Sequence, residues 1–160
     1  MKEPFEYDEI IRVAHEVCDE IENLDIHNPS KLLSLLINLL GFAHELDKHQ
    51  MQVEDEEICI PSGNAETLTR IPDNIIFHEL FDPLDAKSVC EVSLKDSLAD
   101  IYDALKGGLI ILNREPPKKL SVLWEWRNNF RFHWGRHLVD VIRFFTICRD
   151  VDLSGKNANQ

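Results

Sequence analysis

Positive charge is scarce in this sequence. Lysine and arginine number 17 against 29 aspartates and glutamates, giving a net charge of -12. That deficit excludes a strongly basic nucleic-acid binder at the level of the whole chain. A long apolar run is also missing. The greasiest stretch, Leu32 to Ala43, is interrupted by Ser34, Asn38 and Gly41, and it is shorter than the about 20 residues a bilayer requires. The opening residues MKEPFEYDEI lack the apolar core of a signal peptide. No membrane association is expected.

The four cysteines, Cys18, Cys59, Cys90 and Cys148, are widely separated and form no CxxC pair. Such scatter fits a reducing cytoplasm better than a disulfide framework. Cys18 and Cys148 fall on apolar helix faces and read as buried free thiols. Catalytic signatures are missing as well. There is no Gly-rich loop after a strand, no phosphate loop and no GxSxG. His15-Glu16, His44-Glu45 and His78-Glu79 all lack a histidine four residues on, so HExxH is absent. No histidine follows a glutamate by three residues, so the ExxH of di-iron bundles is absent too.

What is present is an ordinary globular composition, 44% hydrophobic and 29% charged over 160 residues. That length predicts one domain, residues 1–150, with 151–160 as a disordered polar tail. Apolar residues at Tyr7, Ile10, Ile11, Ala14, Val17, Cys18, Ile21 and Leu24 keep helical spacing, with Glu9, Glu16, Asp19 and Glu20 opposite. Asn28 can cap and Pro29 open a second helix, whose leucines cover most of its circumference, so it is expected at the centre. Residues 47–65, with the run Glu54-Asp55-Glu56-Glu57, read as a long acidic loop.

Residues 66–92 are ambiguous between a short helix opened by Pro72 and an extended segment around Ile75-Ile76-Phe77. No alternating pattern there is long enough to announce a sheet. Ser93 and Asp96 then resemble a capping box for a helix striped by Leu94, Leu98, Ile101, Leu105, Leu109 and Leu112. Gly107-Gly108 marks either close packing or a kink. Beyond Pro116-Pro117, one helix over about residues 118–150 places Leu123, Phe130, Trp134, His137, Val141, Phe145 and Cys148 inward. Trp126, His133 and Phe144 fall towards a margin of that face, with Asp140 just beyond it. The fold class is all-α: a bundle of about four long helices, near 5–24, 29–50, 93–113 and 118–150, with one or two short extra elements.

Three segments stand in a telling order: FDPL (Phe81 to Leu84), SLKDSLADIYDALKGGL (Ser93 to Leu109) and WEWRNNFRFHWGRH (Trp124 to His137). Over about residues 75–148 they resemble an uncharacterised bacterial family, domain of unknown function 5063. The first 50 residues match only by helix pattern. The resemblance implies a small, helical, cytoplasmic bacterial protein and no established activity.

Two groups of residues carry chemistry. His133 and His137 form an i, i+4 pair, the arrangement that lets two imidazoles share a metal. Asp140 follows, and Asp96, Asp100 and Asp103 edge the facing LADIY helix, Asp100 being the nearest candidate for a third ligand. Without HExxH or ExxH no cofactor is expected, and His137 reads as a core imidazole bonded to Asp100 or Asp140. The second group is aromatic and basic: Trp124, Trp126, Arg127, Arg131 and Phe132. Phe132 and Trp124 point away from the inner stripe and mark either burial under another element or an exposed patch.

Charge is uneven along the chain. Residues 1–60 hold 4 bases and 15 acids, net -11, whereas residues 114–160 hold 9 and 5, net +4. The basic end either packs against acids of the same fold or leaves a polarised surface that selects a basic partner. The leading functional reading is a non-catalytic protein-interaction or regulatory module. One alternative is a metal-dependent enzyme using His133, His137 and acids of the LADIY helix. Another is an acidic immunity- or inhibitor-type protein that neutralises a basic partner.

Overall fold

The computed structural model describes residues 7–49, 51 and 58–148. The 151–160 tail and the Glu54–Glu57 run lie outside the described residues. Five α-helices and one hairpin make up the described chain: α1 (Tyr7–Glu22), α2 (Ser30–Lys48), β1 (Ile76–Leu80), β2 (Val89–Ser93), α3 (Leu94–Arg114), α4 (Lys119–Asn129) and α5 (Gly135–Ile147). The all-α expectation holds, the hairpin being the short extra element. Among the described residues no helix is long and apolar enough to cross a membrane.

Amphipathic spacing builds the bundle. α1 buries Ile10, Val13, Ala14, Val17, Cys18 and Ile21 on one face, against α2 and α3. α2 starts at Ser30, with the Pro29 carbonyl accepting from the Leu33 N–H at 2.8 Å. It is not the central helix expected of it, because Ile37 is half exposed. α3 takes that position, packing on α1, α4, α5 and β2. Ser93 caps α3 as predicted, its Oγ accepting the Asp96 N–H at 3.2 Å. The helix runs unbroken through Gly107 and Gly108, so close packing, not a kink, is their role. A Cβ on Gly107 would collide with the Pro61 carbonyl, and one on Gly108 would lie 2.7 Å from Trp126 Cε2.

The last helix is not one piece. A π turn over Phe130–Trp134 separates α4 from α5, and its wider turn rotates everything beyond it relative to a 100° wheel. Leu123 and Trp134 remain inward, while Phe130 is only half-buried. Trp126 and Phe144, expected at a margin, are buried instead.

The ambiguous segment before α3 is a hairpin. β1 pairs antiparallel with β2, Phe77 opposite Val92 and Glu79 opposite Cys90. Phe77 and Glu79 face the bundle, whereas Ile76, His78 and Leu80 face out. A charged residue inward and apolar residues outward invert the usual alternation, which explains why no strand pattern was visible. α5 holds the hairpin down: Phe144 packs on Phe77 with ring centroids 5.4 Å apart, and Arg143 donates to the His78 carbonyl at 2.6 Å.

Candidate functional site

Two acidic and imidazole clusters meet where α3, α5 and β1 come together. Ser97 and Asp100 are one turn apart on α3 and point the same way. The π turn presents His133, and the first turn of α5 presents His137. His137 Nε2 lies 3.1 Å from Asp100 Oδ2, and His133 Nε2 lies 4.0 Å from Asp100 Oδ1. The two imidazole centroids are 5.4 Å apart. On its other side, His137 Nδ1 is 3.3 Å from Ser97 Oγ, and both residues are buried. Burial pushes the His137 pKa down by more than the Asp100 charge pushes it up, so the ring is neutral at neutral pH.

The second cluster belongs to β1 and α5. Glu79 is buried on the inner side of the hairpin. Its Oε1 accepts from Cys90 Sγ at 3.5 Å and pairs with Arg136 Nε at 3.6 Å. Asp140 shares a hydrogen bond with it. Burial and the neighbouring Glu79 charge push Asp140 up to about 6. Burial also pushes Glu79 up, but the Asp140 hydrogen bond, Arg136 and Cys90 together hold it below the usual range. Of the two, Asp140 is therefore the one that holds a proton, below about pH 6. Glu79 Oε2 is a buried oxygen with no hydrogen-bond partner among the described residues.

The predicted polar cluster is thus split. Asp100, His133 and His137 come together, and Asp100 is the carboxylate that bonds His137. Asp140 turns to Glu79 instead. Asp103 is elsewhere, its Oδ1 accepting from the Ala65 N–H at 3.2 Å and the Ser62 hydroxyl at 3.4 Å. Asp96 is exposed in the first turn of α3. Sequence reasoning missed Ser97 and Glu79. Ser97 sits three residues before Asp100 on the same helical face, which is the signal that would have found it. Glu79 has no such signal, because its inward position depends on a strand that was not legible.

The aromatic and basic group also divides. Trp126 is buried, its indole N–H donating to the Ala104 carbonyl at 2.9 Å. Arg131 pairs with Asp47 of α2 at 2.6 Å and Arg127 approaches the same carboxylate at 3.7 Å. Their charges hold Asp47 below its ordinary range, Arg131 most of all. With Lys119 on Asp8 and Arg136 on Glu79, the basic end of the chain meets acids of its own fold. Of the apolar members of the group, Trp124 and Phe132 are exposed, as is Arg131.

This architecture and its motifs can be placed among known proteins. The family described as Domain of unknown function (DUF5063) matches residues 2–148. The chain belongs to that family. No curated protein matches it. Among solved structures, DUF5063 architecture in this chain is similar to protein BF1032 from Bacteroides fragilis, with a TM-score of 0.64 and 23% identity. The alignment covers 89% of this chain and 94% of the other. At that identity the likeness concerns the fold alone.

Proposed function

We propose that this chain is a non-catalytic protein-interaction module, and that a partner protein docks on the tip of its hairpin and on Phe132. The observation that carries this reading is the exposure of three large apolar side chains: Phe81 at 63%, Leu84 at 95% and Phe132 at 85%. Single exposed leucines are ordinary, but several large apolar groups around one tip mark an interaction surface. Leu80 and Val89, paired across the strands, are exposed on the same outer side. Arg136, one turn beyond Phe132, lies over the Phe81 ring at 4.8 Å. This contact brings the hairpin tip beside the surface that carries Phe132.

The tip is rigid enough to dock. Asp82 Oδ1 accepts the Leu84 N–H at 2.8 Å, Asp85 Oδ1 accepts the Lys87 N–H at 2.9 Å, and Ser88 ties the loop base. A preset loop loses less entropy on binding. Asp82 and Asp85 also leave the tip acidic, so the partner carries an apolar pocket with a basic rim. A reducing cytoplasm suits the four free cysteines.

A photo-crosslinking amino acid placed at Leu84 or Phe132 tests this in cells that make the protein. The expected result is one discrete adduct from both positions, lost when Phe81 and Leu80 are changed to Ser. Val139, exposed on α5, is the control position. Adducts no stronger at 84 and 132 than at 139 would overturn the reading.

A further inference from the structure

We propose that Asp100, His133 and His137 form a binding site for a zinc-class divalent metal ion, a property beyond the docking role. One donor atom from each of the three residues lies within 4.8 Å of the others. Ligand atoms around a four-coordinate zinc, each at about 2.0–2.1 Å, sit about 3.3 Å apart. Asp100 Oδ2 and His137 Nε2, at 3.1 Å, already span one such edge. His133 Nε2 is 4.0 Å from the other oxygen, Asp100 Oδ1, and with one donor atom per residue the set spans up to 4.8 Å, so His133 has to close by up to about 1.5 Å to complete it. Its side chain is 54% exposed, so a small rotation meets little packing.

The shell behind the ligands is in place as well. A metal-binding imidazole ordinarily donates its second ring N–H to a fixed acceptor, which sets the tautomer. Ser97 Oγ, fully buried on α3, stands 3.3 Å from His137 Nδ1 and serves as that acceptor. With Nδ1–H directed at Ser97, the bare Nε2 lone pair faces a carboxylate oxygen, an arrangement that a metal ion between them satisfies. In the metal-free protein the alternative tautomer fills the gap: Nε2–H donates to Asp100 and the Ser97 hydroxyl donates to Nδ1. Metal binding therefore moves the single ring proton from Nε2 to Nδ1, with no net proton released by the imidazole, and reverses the Ser97 bond.

The donor set selects the ion. Two imidazoles and one carboxylate favour zinc, cobalt, nickel or copper over magnesium or calcium, which prefer all-oxygen sites. Asp100 and His133 both reach solvent, leaving water to complete the coordination. The two helices are joined through a core independent of the ion, so the site is a late addition to a folded protein and not its scaffold.

Cobalt(II) titration of tag-free, chelator-treated protein tests the site, read by visible absorption and calorimetry. One equivalent is expected to bind per chain, to be displaced by zinc, and to ignore magnesium. His133→Ala and Asp100→Asn should each weaken cobalt about tenfold or more, and Ser97→Ala about ten- to a hundredfold. His44→Ala, a surface histidine change on α2, should leave affinity unchanged. Circular dichroism of the metal-free variants shows that the fold persists, and His133 is exposed enough for that comparison to be clean. Absence of saturable cobalt binding by the folded wild-type protein would overturn the proposal. So would binding that His133→Ala and Asp100→Asn leave untouched. Neither result bears on the crosslinks at Leu84 and Phe132.

Discussion

Gly108 on α3 lies directly against the indole of Trp126 on α4. The lack of a side chain there lets the indole N–H reach the carbonyl of Ala104, one turn earlier, at 2.9 Å. A Cβ on Gly108 would fall 2.7 Å from Trp126 Cε2 and 2.8 Å from Val122 Cγ1. Helix propensity and packing therefore oppose each other at this residue. Gly→Ala in a helix interior gains about 1 kcal/mol of propensity, whereas overpacking a filled core costs about 1–3 kcal/mol. Both neighbours are buried, so packing wins. Gly108→Ala is expected to lower the denaturation midpoint. Gly41→Ala on α2, where a Cβ meets nothing within 4 Å, should raise it. Equal effects of the two substitutions would show that the α3–α4 contact is loose.

Trp134 and Phe130 separate two kinds of packing. Trp134 is fully buried and donates its indole N–H to the Trp126 carbonyl at 3.2 Å. Phe130 touches the same ring edge-on, centroids 4.9 Å apart, but is half-buried. Trp134→Ala is expected to cost about 3–5 kcal/mol, by cavity formation. Phe130→Ala should cost roughly half as much, since part of its ring stays in water. Urea titration of the two variants gives the ratio directly.

How far the sequence carried the fold can be judged at these residues. Helical spacing located α1, α2 and α3 because each buries one face at a regular period. It placed Trp134 inward for the same reason. It failed at Phe144, because a constant 100° wheel cannot anticipate the π turn between α4 and α5, and at Trp126, ahead of that turn, which α3 holds in through the Ala104 carbonyl. The hairpin was illegible because Glu79 points in while Ile76 and Leu80 point out. In the candidate site, the histidine pair and Asp100 were readable from spacing and helix facing. Glu79 was not, and Asp140, grouped with the histidines, turned out to be its partner.

The Glu79–Asp140 pair gives a pH dependence with a definite sign. Asp140 titrates at about 6 in the folded chain, against an ordinary aspartate value of about 3.9 when unfolded. The folded state thus binds the extra proton between those values. The stability this group confers is complete below about pH 4 and is lost as pH rises through about 6. Asn at position 140 imitates the protonated acid and keeps the donor to Glu79. Asp140→Asn should accordingly raise the melting temperature at pH 7–8 and have little effect near pH 4. Glu79 titrates in the opposite sense and is itself lowered by Asp140, so the difference between variant and wild type, measured across pH in chelator-treated protein, reports the proton of the pair. A difference that is constant with pH would mean the proton is not shared.

His137 and His133 should also differ in their effect on stability when no metal is present. His137 is buried, and truncation to Ala removes its bonds to Asp100 and Ser97 together. Ser97 Oγ would then lie in the core facing a cavity. Leaving a buried polar group unpartnered costs about 1–3 kcal/mol, and the lost ring volume adds to it. His133 is exposed, and its 4.0 Å contact with Asp100 and edge contact with the His137 ring are interactions worth little in water. His133→Ala is therefore expected to shift stability by less than about 0.5 kcal/mol. A double-mutant cycle distinguishes the hydrogen bond from mere volume. If the Ser97–His137 contact carries part of the loss, His137→Ala should cost less in a Ser97→Ala background than in the wild type, with a coupling of about 0.5–3 kcal/mol. Strict additivity would instead assign the whole effect to the cavity, and the tautomer that Ser97 sets at Nδ1 would lose its support.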